Sequence, residues 1–213
     1  MKVVCFDFDG TLADSFPFIF KSFGYMFEKY LGIKMDQSLF DKISGPDEKG
    51  ILIKVLKDKY SEACWDEYLK YYDTYSGDSI KLFPGIKEML ISLKSKGVHL
   101  VFLTGRSKET ATISLKKLGI YDLFEGFYAG SRTGCVKDIL LAEVAKDFKL
   151  PITNVLYIGD SRQDVLDAKK AGCDLISVLF SNPQWWDEIK KMNPIYATNN
   201  KELEDKILNW YAK

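Results

Sequence analysis

The sequence predicts an α/β fold, a doubly wound parallel sheet core with a helical block inserted after its first strand. Two observations predict it. From about residue 82 onward, short apolar runs alternate with amphipathic helical patterns, as in a parallel sheet covered on both faces. Between about residues 15 and 80 there is helical periodicity and no convincing strand. The 213 residues suffice for one sizeable domain or a domain with a smaller insert.

Each element follows from local pattern. Residues 2 to 8 read as a strand, because an apolar run ends in turn chemistry at Gly10. Residues 16 to 31 predict a helix, with Ile19, Phe20, Phe23, Met26, Phe27 and Tyr30 at three- and four-residue steps. Asp14 or Ser15 is placed to cap it, and Pro17 suits its first turn. "DEKGILIKVLKDKY" and "SEACWDEYLKYYDTY" predict two more helices. "FPG" at 83 to 85 punctuates the chain before a helix at 86 to 96, ended by Gly97. "VHLVFL" then predicts a strand and 107 to 118 a helix. "GFYAG" follows as a short strand and 137 to 148 as a helix. "NVLYIGD" is a strand, 162 to 171 a helix, and "DLISVLF" a strand. "PIYAT" closes the sheet before a last helix at 201 to 211. The expected division is a core of residues 1–14 and 82–213, with a helical cap of 15–81.

Composition narrows the function classes. Lys+Arg and Asp+Glu both number 30, so net charge is zero, which argues against a dedicated nucleic-acid binder. No apolar stretch approaches the roughly 18 residues of a membrane span, and "KVVCFDF" carries no signal-peptide pattern. The four cysteines lack metal-ligand spacing and read as free thiols of a cytoplasmic protein. The lone histidine, His99, lies in a strand and reads as structural.

Ligands of such sheets bind beyond the carboxyl ends of the strands. Those ends supply Asp7, Asp9, Gly10 and Thr11, then Thr104, Gly105 and Arg106, then Gly159, Asp160 and Ser161, with Asp164 one helical turn on. Lys137 opens a helix near the same edge. Taken singly, Asp160 and Thr104 read as helix caps, and Lys137 as a solvated helix residue. As a set they gather carboxylates without histidine or cysteine, which favours a hard cation such as Mg²⁺. A hydroxyl, a lysine and backbone N–H groups beside it suit a phosphoryl group.

"DFDGTLADS", "LTGRS", Lys137 and "GDSRQD", in this order and separation, resemble the four motifs of the haloacid dehalogenase superfamily. "FPG" and "AKKAGCDLISV" resemble segments of its phosphoglycolate phosphatase-like branch, and the helical insert resembles its type-1 cap. The resemblance implies a Rossmann-like core and a Mg²⁺-dependent phosphatase acting through an aspartyl-phosphate. It implies Asp7 as nucleophile and Asp9 as general acid and base. It puts the metal on the Asp7 and Asp160 side chains and the Asp9 backbone carbonyl, with Asp164 supporting them. Thr104, Gly105 and Lys137 would bind phosphate. Asp138 follows Lys137 where relatives commonly have proline, but spacing favours Lys137 over Lys146 or Lys149.

The cap is aromatic-rich, and most of its rings read as its own core. "ISGPDEKG", residues 43 to 50, is the segment expected to face substrate, with Lys49 its one basic residue. A cap implies a small phosphorylated metabolite as substrate and leaves monomer or dimer open. Arg106 reads equally as a contact to substrate or cap or as a surface residue, and Trp185 and Trp186 as near the surface. The alternatives are a phosphosugar mutase of the β-phosphoglucomutase type, or a non-catalytic phosphate-binding regulator. A dehalogenase is disfavoured because relatives of that kind lack the second acid, present here as Asp9.

Overall fold

In the computed structural model, which describes residues 1–43 and 45–213, the first apolar run forms β1 (Val3–Phe6) in the interior of a six-stranded sheet. The chain leaves through β2 (Ala13–Asp14) and passes through α1 (Phe16–Leu31), α2 (Gln37–Ile43), α3 (Glu48–Leu56) and α4 (Glu62–Ser79). It returns through β3 (Lys81–Leu82), which pairs antiparallel with β2 as a separate ribbon. Next come α5 (Ile86–Ser95), β4 (His99–Leu103), α6 (Lys108–Lys117), β5 (Gly126–Tyr128) and α7 (Lys137–Asp147). The chain ends with β6 (Val155–Gly159), α8 (Arg162–Ala171), β7 (Asp174–Val178), α9 (Trp186–Met192), β8 (Tyr196–Ala197) and α10 (Asn200–Tyr211).

The sheet order is β5-β4-β1-β6-β7-β8, and every neighbouring pair is parallel. The doubly wound α/β class is thus observed. Phe6 lies opposite Phe102 of β4 and Ile158 of β6. The chain builds outward from β1 through β4 and β5, then crosses back to β6. Strand order therefore reverses at β1, and the crevice for a ligand opens at its carboxyl end.

Both faces of β1 are buried, so period-two alternation sorts its side chains. Val4 and Phe6, with Phe8 beyond, enter an apolar cluster that continues through Leu12 into α1 and α4. Val3 and Cys5 enter a second cluster with Leu141 and Val144 of α7 and Val165 of α8. One more step of the alternation sends Asp7 to the α7 and α8 side.

Helix α1 has the predicted bounds. Pro17 sits in the first turn, and Gly32 ends the helix at φ 69° with its N–H bonded to the Glu28 and Phe27 carbonyls. Its buried face meets Trp65, Tyr68 and Tyr72 of α4, so most of the aromatic wealth is core. The helix predicted over 47 to 60 stops at Leu56, because Lys57 turns out at φ 50°. Helices α2 and α9 were not expected; each has seven residues, too few for a periodic signal. Within the 43 to 50 segment, Ser44 lies outside the described residues. Among the described residues no helix is long and apolar enough to cross a membrane.

Candidate active site

Asp7 meets what the alternation puts in front of it. Its Oδ2 lies 2.9 Å from Lys137 Nζ, and the same Nζ donates to Asp164 Oδ1 at 2.7 Å. Lys137 reaches both from the first residue of α7. Asp164 is saturated: Oδ1 also accepts from the Tyr157 hydroxyl at 2.7 Å, and Oδ2 accepts from Ser161 N at 2.9 Å and Ser161 Oγ at 2.6 Å. That capping box fixes α8 and aims the carboxylate back at the sheet. Gly159 makes room for it, since a Cβ there would lie 2.6 Å from Asp164 Cγ. Asp160 accepts from Thr11 Oγ1 at 3.2 Å and from Ser181 Oγ at 3.1 Å.

Desolvation sets the electrostatics. Burial pushes the Asp7 carboxyl up to about 7 against the pull of Lys137, with Asp164 and Asp9 adding to the rise. Burial, then Asp164 and Asp7, holds Asp160 well above the usual carboxylate range. Burial also opposes ionisation of Asp164, but the charge and hydrogen bond of Lys137, with Ser161 and Tyr157, bring it below that range.

Asp9 points elsewhere. Its carboxylate accepts from Arg106 Nε at 2.9 and 2.8 Å and from Nη2 at 2.6 Å. Ser15 Oγ also donates to Asp9. Arg106 is only 4% exposed, which removes the surface reading. It further donates to the Tyr72 hydroxyl of α4 and lies 4.0 Å from Glu48 of α3. Glu48 in turn accepts from Ser107 N at 2.6 Å and Thr110 Oγ1 at 2.7 Å, at the start of α6. The expected capping of α1 by Ser15 is also corrected: Ser15 is the N-cap residue but makes no side-chain cap bond, because its hydroxyl serves Asp9. Asp14 is exposed in β2, opposite Lys81 of β3.

Thr104 is fully buried, and its Oγ1 accepts from Arg106 N at 3.2 Å. Gly105 lines a cavity of about 120 Å³ beside Asp9 and Arg106. Gly130 packs so close that a Cβ would lie 1.9 Å from the Gly105 carbonyl, which fixes the Gly105 backbone.

The residues fit a divalent cation. Carboxylate oxygens of Asp7, Asp160 and Asp164 lie within 4.8 Å of one another, and all three residues are buried. An all-oxygen set suits a hard cation. Lys137 is already shared by Asp7 and Asp164, so Asp160 has no cation within the cluster. With Asp164 saturated, Asp7 and Asp160 are the carboxylates with lone pairs to offer. Gly10 keeps the approach narrow and clear, since a Cβ there would lie 2.1 Å from Asp160 Oδ2.

Several participants escaped the sequence reading. Tyr157 sits inside an apolar strand, and its only signal was sharing the Asp7 face of the sheet. Ser181 follows β7, where the strand-end rule applied to a further strand would have found it; Trp186 Nε1 braces it through its carbonyl at 2.7 Å. Tyr72 and Ser15 belong to the helical insert, where no strand end marks them; Glu48 lies in the 43 to 50 segment expected to face substrate and lines the cavity beside Asp9 with Asp47. Trp185 is half exposed.

Comparison with known proteins agrees with this geometry. Residues 4–178 match the family model of haloacid dehalogenase-like hydrolases. The chain is 31% identical over 191 residues to the phosphoglycolate phosphatase of Neisseria gonorrhoeae, covering 84% of this chain and 80% of that one. A predicted phosphatase from Clostridium acetobutylicum superposes with a TM-score of 0.76 at 27% identity, over 98% of each chain. A haloacid dehalogenase-like hydrolase from Streptococcus pneumoniae gives 0.75 at 25% identity, over 97% of this chain and 98% of that one. A family match along most of the chain, named relatives, and carboxylates gathered with a lysine at the switch point of the sheet agree: the chain belongs to the haloacid dehalogenase-like hydrolases and is a phosphatase of that family.

Proposed function

We propose that this phosphatase is a Mg²⁺-dependent phosphomonoesterase that forms an aspartyl-phosphate on Asp7, with residues 15–81 as a cap over a small-molecule substrate. The observation that carries the reading is the shared ion pair of Lys137 with Asp7 and Asp164, at 2.9 and 2.7 Å, beside Asp160. It supplies an oriented carboxylate nucleophile, a cation for phosphoryl oxygens and a second carboxylate for a metal.

Asp7 attacks phosphorus in line, and the P–O bond to the leaving group breaks. Asp9 gives the leaving oxygen its proton. It then takes a proton from water, which attacks the aspartyl-phosphate and returns Asp7 as a carboxylate with release of inorganic phosphate. Asp7, Asp160 and the Asp9 carbonyl would hold Mg²⁺, which when bound supplies counter-charge to the nucleophile and the phosphoryl oxygens. Lys137 adds charge from the α7 side, and Thr104 and Gly105 form the floor. Arg106 occupies both Asp9 oxygens, so Asp9 must give up one of those bonds to deliver its proton. The pair therefore links acid–base work to the seating of the helical insert.

The test is phosphate release over a panel of small phosphate esters, with Mg²⁺ and with chelator. Release that needs Mg²⁺ and is lost in Asp7→Asn is expected. Full turnover by Asp7→Asn would remove the mechanism.

A further inference from the structure

Resting on that reading, we infer that the leaving group of the substrate is uncharged or cationic, with a small apolar part, and carries no carboxylate or second phosphate. The cavity beside Asp9 and Gly105 is where a leaving group displaced from Asp7 would lie. Its volume of about 120 Å³ is below the roughly 150 Å³ that holds a benzene ring. Ile19, Phe23, Phe40 and Ile51 give it an apolar wall from the helical insert.

Its charged lining is unbalanced. Asp9, Asp47 and Glu48 contribute carboxylates, against Arg106 as the one cation among the described lining residues. Arg106 is already committed, with Nη2 at 2.6 Å from Asp9 and Nη1 at 4.0 Å from Glu48. The other hydrogen bonds to these acids come from uncharged donors, Gly50 N to Asp47 at 2.7 Å and Ser107 N and Thr110 Oγ1 to Glu48, while the Arg132 and Lys49 charges pull on Asp47 from outside the lining. Lys49, the basic residue of this segment, turns away to Glu62 at 2.6 Å and sits over the Trp65 ring. Arg132 is exposed and does not line the cavity. When Asp9 carries the proton that its acid role requires, Arg106 still faces Glu48 at 4.0 Å, and Asp47 is left with no cation in the lining. An anionic leaving group would thus meet like charge with no free partner. The relative from Neisseria is named for a substrate whose leaving group bears a carboxylate, and the two enzymes should differ here. The reaction is ordinary hydrolysis: the alkyl oxygen leaves as a neutral alcohol or amino alcohol, and water supplies the new oxygen on phosphorus.

Ethyl phosphate, 2-aminoethyl phosphate and 2-phosphoglycolate test this, being similar in size and different in charge. With the full chain and Mg²⁺, kcat/KM for the first two should exceed that for 2-phosphoglycolate by about 10-fold or more. Glu48→Gln and Asp47→Asn, each isosteric and able to keep its backbone hydrogen bond, should narrow that ratio several-fold. Equal or preferred turnover of 2-phosphoglycolate would overturn the inference, with Arg106 leaving Asp9 to take the carboxylate. Acetyl phosphate, with an uncharged acyl part and an activated P–O bond that departs without a proton from Asp9, serves as a control for the phosphoryl step. If it is cleaved and the order among the three is wrong, the inference alone falls. If all four are inert, the phosphatase reading falls and takes the inference with it.

Discussion

Asp7 and Asp9 stand two residues apart, and each meets a buried cation, yet the two pairs belong to different parts of the molecule. Asp7, Lys137, Asp164 and Tyr157 all come from the α/β core, from β1, β6 and the starts of α7 and α8. Asp9 and Arg106 come from the core as well, but their further partners Ser15, Tyr72 and Glu48 lie at or within the helical insert. Alternation alone would face Asp7 and Asp9 the same way; the split comes where β1 ends at Phe6 and the chain bends into the turn at Gly10, φ 75°, with Phe8 in the insert-side cluster. The first cluster is an anchored charge arrangement. The second is a junction, so its geometry depends on how the insert sits. A nucleophile needs the first kind of support, whereas a group that both gives and takes a proton can use the second.

The largest expected effect comes from the proposed nucleophile. Asp7→Asn should lower phosphate release by about 10³-fold or more, with the fold retained by circular dichroism. Asp9→Asn should cost about 10²- to 10⁴-fold, the range of lost acid–base catalysis. If Asp9→Asn keeps full activity, the division of labour between the two clusters is wrong, even where Asp7→Asn is dead.

Removing the cations tests the core-versus-junction difference directly. Lys137→Met strands Asp7 and Asp164, and Arg106→Met strands Asp9 and Glu48. Each should cost about 3 kcal/mol of stability by urea unfolding, because a buried charge loses its partner. Limited proteolysis should separate them: Arg106→Met should expose sites in 15–81, and Lys137→Met should not. Equal protection of the insert in both variants would deny the junction its role. Tyr157→Phe is milder, removing one of the four bonds to Asp164, and should cost about 1 kcal/mol with the insert undisturbed.

What the sequence made legible follows the same division. The core cluster could be read because strand ends are marked: an apolar run stops, and Asp7, Asp160 or Thr104 follows at once. Lys137 opens a helix near the same edge, and its resemblance to the third motif of the family singled it out. The junction could not be read, because its contacts join residues far apart in sequence with no shared pattern, Glu48 with Ser107 and Thr110, Tyr72 with Arg106. Arg106 read equally as a contact to substrate or cap and as a surface residue for this reason, since nothing local shows that two acids and a tyrosine surround it. Ser15 looked like a helix cap because position and residue type both suited one, yet the stronger demand came from Asp9. Short helices such as α2 were missed because fewer than two full turns face the core.

A third charge cluster, on the outside of the insert, gives the smallest effect and a control for the other two. Glu67 of α4 accepts from the Tyr25 hydroxyl at 2.5 Å and the Tyr30 hydroxyl at 2.8 Å, and from Lys29, all on α1. Partial burial opposes ionisation, but the bonds from Lys29, Tyr25 and Tyr30 prevail and hold the carboxyl at about 2. A carboxyl depressed on folding adds stability above its unfolded value of about 4.3, and loses it as pH falls toward the folded value. Exposed partners keep the contribution at about 1 kcal/mol or less. Urea unfolding at about pH 5 and about pH 3 should therefore show wild type losing up to that much more than Glu67→Gln. In the buried core the order is reversed, because there burial outweighs the partner and Asp7 rises to about 7. Parallel loss in wild type and Glu67→Gln would mean that the α1–α4 seam is held by its aromatic packing alone, and that charge contributes to this fold only where water is excluded.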